Sequence, residues 1–291
     1  MSTTAEKATV SQAKNGHRGI AEKVAVYAAP IALVILFVVF FIATPKFLTT
    51  GNMTALFVSA AILLVLAMGQ QFVITVAGID LSVGSNLPWA ATVVAWTYQH
   101  GWGITGAVFA GLLAGLLVGV VNGVLVANLK MTDFIVTLGS LSVVSGITLL
   151  LTKGNQLSAS SGFLQGLALG GIGPVRWFWL VGVVVALVTA FIMFWTRTGT
   201  YLLATGGNLD AARDVGIKVT RIRLLAYSAS GLACGVAGVL FVANNGGSDP
   251  TMQTNLLLSS IAAVVLGGSS LSGGRASVLG TAAGAVLLQH C

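Results

Sequence analysis

Long apolar runs dominate this sequence and constrain its fold more than any other feature. Nine of them follow one another along the chain, separated by polar segments: 24–44, 53–77, 81–98, 104–129, 134–152, 177–195, 224–243, 256–266 and 278–290. A helix needs about 20 consecutive apolar residues to cross the hydrocarbon core of a bilayer. Most of the runs reach roughly that length, although the last two are short for a full crossing. The pattern predicts a protein that crosses a membrane many times.

Composition and pattern together indicate helices as the spanning elements. Apolar residues make up 56% of the chain and charged residues only 7%, whereas about 25% of an ordinary soluble domain is charged. The runs are continuous, while membrane strands alternate apolar and polar residues over segments of about ten residues. Helices also satisfy their own backbone hydrogen bonds where no water is present. We therefore expect an all-α, polytopic membrane helix bundle of about nine spans over residues 24–291.

The basic residues predict how this bundle is oriented. The net charge is +7, but Lys and Arg lie in gaps between apolar runs instead of covering one face, which argues against a nucleic-acid partner. Residues 1–23 carry four of them and residues 197–223 carry five. The positive-inside rule places both segments in the cytoplasm. Six predicted spans separate the two segments, an even number, so this placement is self-consistent.

The same count assigns a side to the other connections. Residues 1–23 are a cytoplasmic tail, and the segments 130–133 and 268–277 also lie inside. The segments 45–52, 99–103, 153–176 and 244–255 lie outside. Of these, 153–176 is long and rich in Ser and Gly, which favours a re-entrant or surface-lying element on the outer side.

Glycines recur every four residues in the 104–129 run. They are Gly111, Gly115, Gly119 and Gly123. This spacing leaves a stripe without side chains along one helix face, and such a stripe lets a second helix approach closely. We interpret it as a helix-packing seam, with pore lining as the alternative. The run 224–243 carries a comparable set, which we interpret in the same way: Gly231, Gly235 and Gly238.

Motifs for nucleotide hydrolysis or metal binding are missing from the sequence. Residues 101–106 spell a literal G-x-G-x-x-G, but no strand precedes them and they lie at the end of a predicted span. The sequence contains no G-x-x-x-x-G-K-[ST] phosphate loop and no H-E-x-x-H zinc motif. Cys234, within an apolar run, and Cys291, the last residue, indicate neither a disulfide framework nor a metal site. We expect a chain that is not an enzyme and binds no cofactor or metal itself.

Two short polar breaks interrupt the apolar pattern. The first contains Gly78, Asp80, Ser82 and Gly84, and Asp80 is the one acid that adjoins two long apolar runs. Lipid offers no hydrogen-bond partners to such a segment, so it must face protein, water or the cytoplasm. The second break repeats the Gly-x-x-Leu-Ser-x-Gly frame late in the chain, with Gly268, Ser272 and Gly274. Paired breaks indicate either an internal structural repeat, as in many transporters, or two ordinary tight turns.

A short helix is predicted inside the basic gap. Asn208 is a good N-cap, Asp210 lies in the first turn and Gly216 can end the helix after about two turns. Three apolar residues would share one face of it: Leu209, Ala212 and Val215. The residues alone leave two interpretations open, a solvated connector and an element that docks into a partner protein.

Four blocks of the sequence, taken in order, resemble the ribose/xylose/galactose-type permeases of ABC importers. These blocks are 77–85, 134–139, 206–217 with 230–232, and 262–280. They extend over nearly the whole chain, and together they are far more specific than a count of membrane spans. The resemblance implies that 24–291 is a transmembrane permease domain in a bacterial inner membrane.

The resemblance also implies partners. They are a second permease, either a copy or a paralogue, a cytoplasmic ATPase that binds ATP and Mg, and a periplasmic or lipid-anchored sugar-binding protein. The helix inside the 196–223 loop is similar to the coupling helix that these permeases insert into the ATPase. The implied coupling residues are Asn208, Leu209, Asp210, Ala212, Arg213, Val215 and Gly216. Transport would proceed by alternating access, with ATP hydrolysis driving the change of state.

One departure from the family pattern concerns the C-terminus. Relatives continue for a few dozen residues beyond the segment that matches 278–288, and they form a further span. This sequence stops at residue 291, so we expect that span to be missing and the C-terminus to lie outside. A truncated gene, a frameshifted end or an incomplete record would explain it.

Several functional alternatives stay open. The same machine could carry a branched-chain amino acid, a nucleoside or a signalling sugar. An ion-coupled secondary transporter is a second class, but it usually needs ionisable residues near mid-membrane, whereas Asp80 lies at a span end. A structural protein or inactive remnant is a third. On the importer interpretation we expect Asp80 and Ser82 to matter for the conformational cycle, and Asp210 and Arg213 for coupling to the ATPase.

Overall fold

The protein is described by a computed structural model that covers residues 49–172, 175–252 and 255–289, with five single positions upstream: Ile31, Val34, Ile35, Val38 and Ile42. The predicted tail over 1–23 and most of the predicted span over 24–44 lie outside the described residues.

Helices make up most of the described chain. In chain order they are α1 (Thr50–Thr75), α2 (Val83–Gln99), α3 (Gly103–Ala127), α4 (Asp133–Thr152), α5 (Gly162–Leu169), α6 (Trp177–Trp195), α7 (Arg197–Gly207), α8 (Leu209–Asp214), α9 (Val219–Asn245), α10 (Asn255–Leu266) and α11 (Val278–Leu288). Four two-residue strands complete the described part of the fold: β1 (Leu157–Ser158), β2 (Gly171–Ile172), β3 (Val175–Arg176) and β4 (Gly247–Ser248).

Five of the described helices are long and apolar enough to cross a membrane, namely α1, α3, α4, α6 and α9. Helix α2 has 17 residues with Pro88 inside it, and α10 and α11 are shorter still. The predicted polytopic, all-α membrane fold is confirmed.

Helices α1 and α9 form the centre of the bundle. In the apolar part of α1, 89% of the residues are buried, against 22% in α4 and 22% in α6. Helix α9 packs against α1, α2 and α3. The outer helices turn large apolar side chains outward, for example Phe109, Leu150 and Phe191. In a membrane protein such faces contact lipid or another subunit, since lipid tails are as apolar as these side chains.

The basic gap contains more helix than the sequence analysis predicted. Helix α7 precedes the predicted short helix, and α9 begins at Val219 instead of residue 224. Thr196 caps α7 because its hydroxyl accepts a hydrogen bond from the Gly199 N–H at 3.3 Å. Apolar patterning missed both extensions because Lys, Arg and Thr can continue a helix beyond its apolar part.

The connections between helices fall into two groups at opposite ends of the bundle. The strand end holds residues 100–102, 153–172, 175–176 and 246–252, and β1 pairs there with β4 in antiparallel register. The basic end holds residues 76–82, 128–132, 196–218 and 267–277. Contacts join its segments, because the Ile79 N–H donates to Asp133 Oδ2 at 2.8 Å and the Gly274 N–H donates to the Thr75 carbonyl at 3.0 Å. Each end collects connections that the charge pattern assigned to one side.

The 153–176 segment forms a small structure of its own at the strand end. Helix α5 has eight residues, which is only about 12 Å of helix and too short to span a bilayer. Ser161 caps it by accepting from the Leu164 N–H at 3.2 Å, and β2 pairs with β3 beyond it. Tyr98 at the end of α2 fastens the segment by donating to the Ser160 carbonyl at 2.7 Å.

Candidate functional site

Asp80 lies in the connection between α1 and α2 and is almost fully buried. Its Oδ1 accepts hydrogen bonds from the Ser82 N–H at 3.0 Å and from the Ser82 hydroxyl at 2.6 Å. Its Oδ2 accepts from the Ser230 hydroxyl of α9 at 2.7 Å. Burial raises the pKa of the Asp80 carboxyl above its usual range, and the hydrogen bonds from Ser82 and Ser230 oppose that rise. The carboxyl group therefore joins the start of α2 to the central helix α9.

Polar contacts continue from Ser82 into two further helices. The Asn122 side chain of α3 donates to the Ser82 hydroxyl at 2.8 Å, and the Ser140 hydroxyl of α4 donates to Asn122 Oδ1. Buried polar groups in contact with one another rigidify a core, since each would be costly if left unpaired. We call this chain of contacts, from Ser230 through Asp80, Ser82 and Asn122 to Ser140, the Asp80 network.

The backbone of the first break finds its partners on α4. Asp133, at the start of α4, accepts the Ile79 N–H through Oδ2, and the Thr137 hydroxyl donates to the Ile79 carbonyl at 3.3 Å. Gly78 is closely packed as well, because a methyl group added there would lie 2.8 Å from the Tyr227 hydroxyl oxygen. Gly84 is buried in the first turn of α2. The polar side chains of the break face protein, one of the three surroundings that the sequence allowed, while the Ile79 side chain is exposed.

Two consecutive glutamines of α1 bind the two breaks separately. The Gln70 amide donates to the Asp80 carbonyl at 2.6 Å. Gln71 Oε1 accepts from the Ser269 hydroxyl at 3.0 Å and from the Thr281 hydroxyl at 2.6 Å. Both glutamines are fully buried. Sequence reasoning missed them, although a Gln-Gln pair inside an apolar run was the available signal, as a single Asn was for Asn122.

The second break connects α10 to α11 and is rich in left-handed backbone. Gly268, Gly273 and Gly274 have φ values of 88°, 79° and 74°, a region that glycine adopts without steric cost. Ser272 is exposed, and its hydroxyl oxygen lies 2.7 Å from that of Ser270. Ser82, at the matching position of the first break, is buried. The two breaks share a sequence frame and an end of the bundle, but not the environment of this serine.

The predicted short helix is present as α8. Asn208 Oδ1 accepts from the Asp210 N–H at 3.1 Å and from the Ala211 N–H at 3.0 Å. Gly216, with φ of 83°, follows the end of the helix. Asp210 and Arg213 form an exposed ion pair at 3.3 Å.

The three apolar residues expected to share one face of α8 differ in their exposure. Ala212 is 3% exposed, whereas Val215 is 76% exposed, and Leu209 is half-buried. The helix ends at Asp214, and Val215 is its C-cap residue, whose N–H still donates to the Ala211 carbonyl at 3.2 Å. The helix presents Asp210, Arg213 and Val215 to the surroundings at the basic end.

The glycine stripe of α3 lies against neighbouring helices. A methyl group added at Gly115 would lie 2.6 Å from the Gly231 carbonyl oxygen of α9, and one at Gly119 would lie 2.8 Å from the Gly231 Cα. At Gly123 it would lie 2.8 Å from Leu224 Cδ1, and at Gly111 it would overlap Val94 of α2. All four positions are filled by another helix, which is the geometry of a packing seam.

The long apolar helices of the bundle define a multi-pass membrane protein. The chain belongs to the family described as branched-chain amino acid transport system / permease component, whose model matches residues 52–290. The predicted resemblance to ABC importer permeases is confirmed, and members of this family are transport subunits and not enzymes.

Curated relatives match over most of their length. The ribose import permease of Escherichia coli K12 is 36% identical over 265 residues, which is 89% of this chain and 82% of that protein. The ribose import permease of Bacillus subtilis is 38% identical over 266 residues, 89% of this chain and 81% of the relative. The autoinducer 2 import system permease of Salmonella typhi is 36% identical over 263 residues, 89% of this chain and 75% of the relative. No solved structure matches the chain.

Proposed function

We propose that this chain is the permease subunit of an ATP-driven importer that moves a monosaccharide across the bacterial inner membrane. The observation that carries the proposal is the similarity to two ribose import permeases over 89% of the chain. The geometry supports it, because the bundle holds a buried polar network and a short exposed helix at the same end. A separate ATPase would bind ATP and Mg, and this chain would bind neither.

Helix α8 is the proposed contact with the ATPase. It lies at the end of the bundle where Arg197, Arg213, Lys218, Arg221 and Arg223 are found, and the positive-inside rule places such an end in the cytoplasm. Its exposed charges and the exposed Val215 side chain offer polar and apolar contacts within one small surface. On this orientation the N-terminus is cytoplasmic, and the strand end faces the sugar-binding protein outside.

The Asp80 network is the proposed element that changes between the inward and outward states. It joins the first break to α3, α4 and α9, so separation of these helices must break or exchange its hydrogen bonds. A cycle driven by ATP requires that the ATPase and the binding protein stabilise different arrangements of these helices. In the first break, the residues proposed to take part in this change are Gly78, Asp80, Ser82 and Gly84. In the second break they are Gly268 and Gly274. Ser272 is exposed, so its part in the change has the least support.

The cargo is a separate question, because the relatives import different molecules. The similarity to the autoinducer 2 permease is as high as that to the E. coli ribose permease, at 36%. A signalling molecule of that kind is therefore the second candidate cargo. The secondary-transporter hypothesis loses support, since the family consists of permease components and Asp80 lies between helices α1 and α2.

Reconstitution tests this function. The chain would be purified with the ATPase and the binding protein encoded beside it, placed in proteoliposomes, and assayed for ATP hydrolysis and uptake. We expect ribose-loaded binding protein to raise ATP hydrolysis and to drive uptake, with autoinducer 2 and leucine as competing cargoes. No complex with the ATPase, or hydrolysis that no cargo changes, would contradict the proposal.

Replacing both Asp210 and Arg213 by alanine should weaken ATPase binding with little effect on stability. Their ion pair is exposed, and exposed pairs contribute only about 0–1 kcal/mol to the free energy of unfolding. We expect the unfolding temperature to stay near that of the wild type while less ATPase is recovered on a tagged permease. Gln165→Ala, an exposed change at the strand end, is the control. Equal ATPase recovery in the two variants would argue against docking through α8.

A further inference from the structure

Helix α8 is separated by only one residue from a pair of glycines at the end of α7. Helix α7 ends with Gly206 and Gly207, Asn208 follows as the cap, and α8 begins at Leu209. The Asn208 N–H donates to the Ala204 carbonyl at 3.1 Å while its side chain caps α8. The cap is thus bonded to both helices, so a displacement of α8 must be passed to Gly206 and Gly207.

Gly206 lies where three segments meet backbone to backbone. A methyl group added there would overlap the Thr75 carbonyl oxygen of α1 and would lie 2.6 Å from the Gly274 nitrogen of the second break. The Gly274 N–H in turn donates to the Thr75 carbonyl at 3.0 Å. A methyl group at Gly273 would lie 2.7 Å from the Gly206 carbonyl oxygen and 2.8 Å from the Ala77 nitrogen. No side chain separates these backbones, so one segment has little room to move without displacing the others.

The end of α1 leads from this junction directly to Asp80. Ala77 has a positive φ of 57°, a conformation that costs energy for a residue with a side chain. It lies three residues before Asp80, whose carbonyl is bound by Gln70. Gln71, one residue further along α1, binds Ser269 in the second break and Thr281 in α11, which follows it. Both breaks are therefore anchored on one turn of α1.

We propose that Gly206, Gly274 and Gln71 are positioning residues that transmit a movement of α8 to the Asp80 network. The path runs from α8 through Gly206 to the second break and the end of α1. Gln71 holds the second break in a fixed position against α1. Ala77, with its strained conformation, lies between the end of α1 and Asp80, where the movement would reach the network. This inference rests on the proposed function, in which α8 contacts the ATPase.

A matched pair of variants, Gly206→Ala and Gly207→Ala, tests the backbone contacts of Gly206 with α1 and the second break. The two glycines are neighbours on the same helix, but a methyl group at Gly207 would meet nothing nearer than the Gly274 Cα at 3.9 Å, an ordinary contact. We expect the Gly206→Ala protein that assembles with the ATPase to hydrolyse ATP at the basal rate. Its stimulation by sugar-loaded binding protein should fall about fivefold or more, the lower range of typical coupling between two sites. Gly207→Ala should keep the wild-type stimulation.

A second pair of variants, Thr281→Val and Thr281→Ser, tests the same proposal if Gly206→Ala does not fold. Valine keeps the shape of threonine but removes the hydroxyl that donates to Gln71, whereas serine keeps that donor. We expect Thr281→Val to lose stimulation and Thr281→Ser to retain it, at equal amounts of assembled complex. A role in stability alone would change the amount of complex and not the ratio of stimulated to basal hydrolysis.

The outcomes distinguish the proposed function from the relay, by which we mean the proposed path from α8 through Gly206 and the second break to the Asp80 network. A wild-type complex that responds to sugar-loaded binding protein, together with variants Gly206→Ala and Thr281→Val that respond equally well, overturns the relay alone. A wild-type complex that responds to no binding protein overturns the proposed function and the relay with it. Loss of stimulation in both variants, with both controls normal, supports the relay.

Discussion

The Asp80→Ala variant is expected to import its cargo at least about tenfold more slowly than the wild type. The substitution removes the acceptor of three hydrogen bonds, two from Ser82 and one from Ser230. A buried donor left without a partner costs about 1–3 kcal/mol, and a change of 1.4 kcal/mol alters a population tenfold. Uptake would be measured per amount of permease in the membrane.

Two further variants separate the possible causes of that loss. Asp80→Asn keeps the shape and one acceptor oxygen, so we expect uptake between that of the wild type and that of Asp80→Ala. Asp249 offers a matched control for stability, since it also accepts from the N–H and hydroxyl of the residue two positions on, Thr251, at 2.9 and 2.7 Å. Asp249 lies near the surface, so Asp249→Ala should shift the unfolding temperature less than Asp80→Ala. Normal uptake by Asp80→Ala would remove Asp80 from the mechanism.

The Gly119→Ala variant is expected to destabilise the bundle strongly. The added methyl group would overlap the Tyr227 carbonyl oxygen and would lie 2.8 Å from the Gly231 Cα, so the backbones of α3 and α9 must separate. Overpacking of a core costs about 1–3 kcal/mol, and here the rigid backbone of the central helix must give way. Thermal unfolding in detergent, followed by size-exclusion chromatography, would show a lower unfolding temperature.

Gly146→Ala provides the control for that experiment. Gly146 also lies within an apolar helix, α4, but nothing stands within 4 Å of an added methyl group. Alanine favours a helix over glycine by about 1 kcal/mol, so this variant should be as stable as the wild type or slightly more stable. If both variants unfold at the same temperature, close packing at the stripe does not contribute to stability.

Much of the fold was accessible from the sequence because membrane folding leaves few options. Apolar runs of sufficient length become helices, since lipid offers the backbone no other partner. The cap at Asn208 is a local signal, because its side chain reaches only to the next two or three residues. Basic residues assigned the segments 197–223 and 268–277 to one side, and Gly206 and Gly274 of these two segments pack against each other.

The site was less accessible, because its hydrogen bonds join residues far apart in the sequence. Gln71 and Thr281 lie 210 positions apart, and Asp80 and Ser230 lie 150 apart. To predict these pairs one must know which helices are neighbours, and an apolar run does not contain that information. Helix α1 is buried on almost every side, so its pattern does not show which face Gln70 or Gln71 occupies. The different exposure of the Ala212 and Val215 side chains was equally inaccessible, because the sequence does not show which of the two the rest of the bundle covers.

The adjacent positions of Gln70 and Gln71 limit how the two breaks can move. Successive residues of an α-helix project about 100° apart around the axis, because 3.6 residues complete a turn. One rigid helix thus fixes the angle between the hydrogen bond to the first break and those to the second. A rotation of α1 about its own axis displaces both attachment points through the same angle. As long as both glutamines stay bound, a rotation of α1 therefore displaces both breaks together.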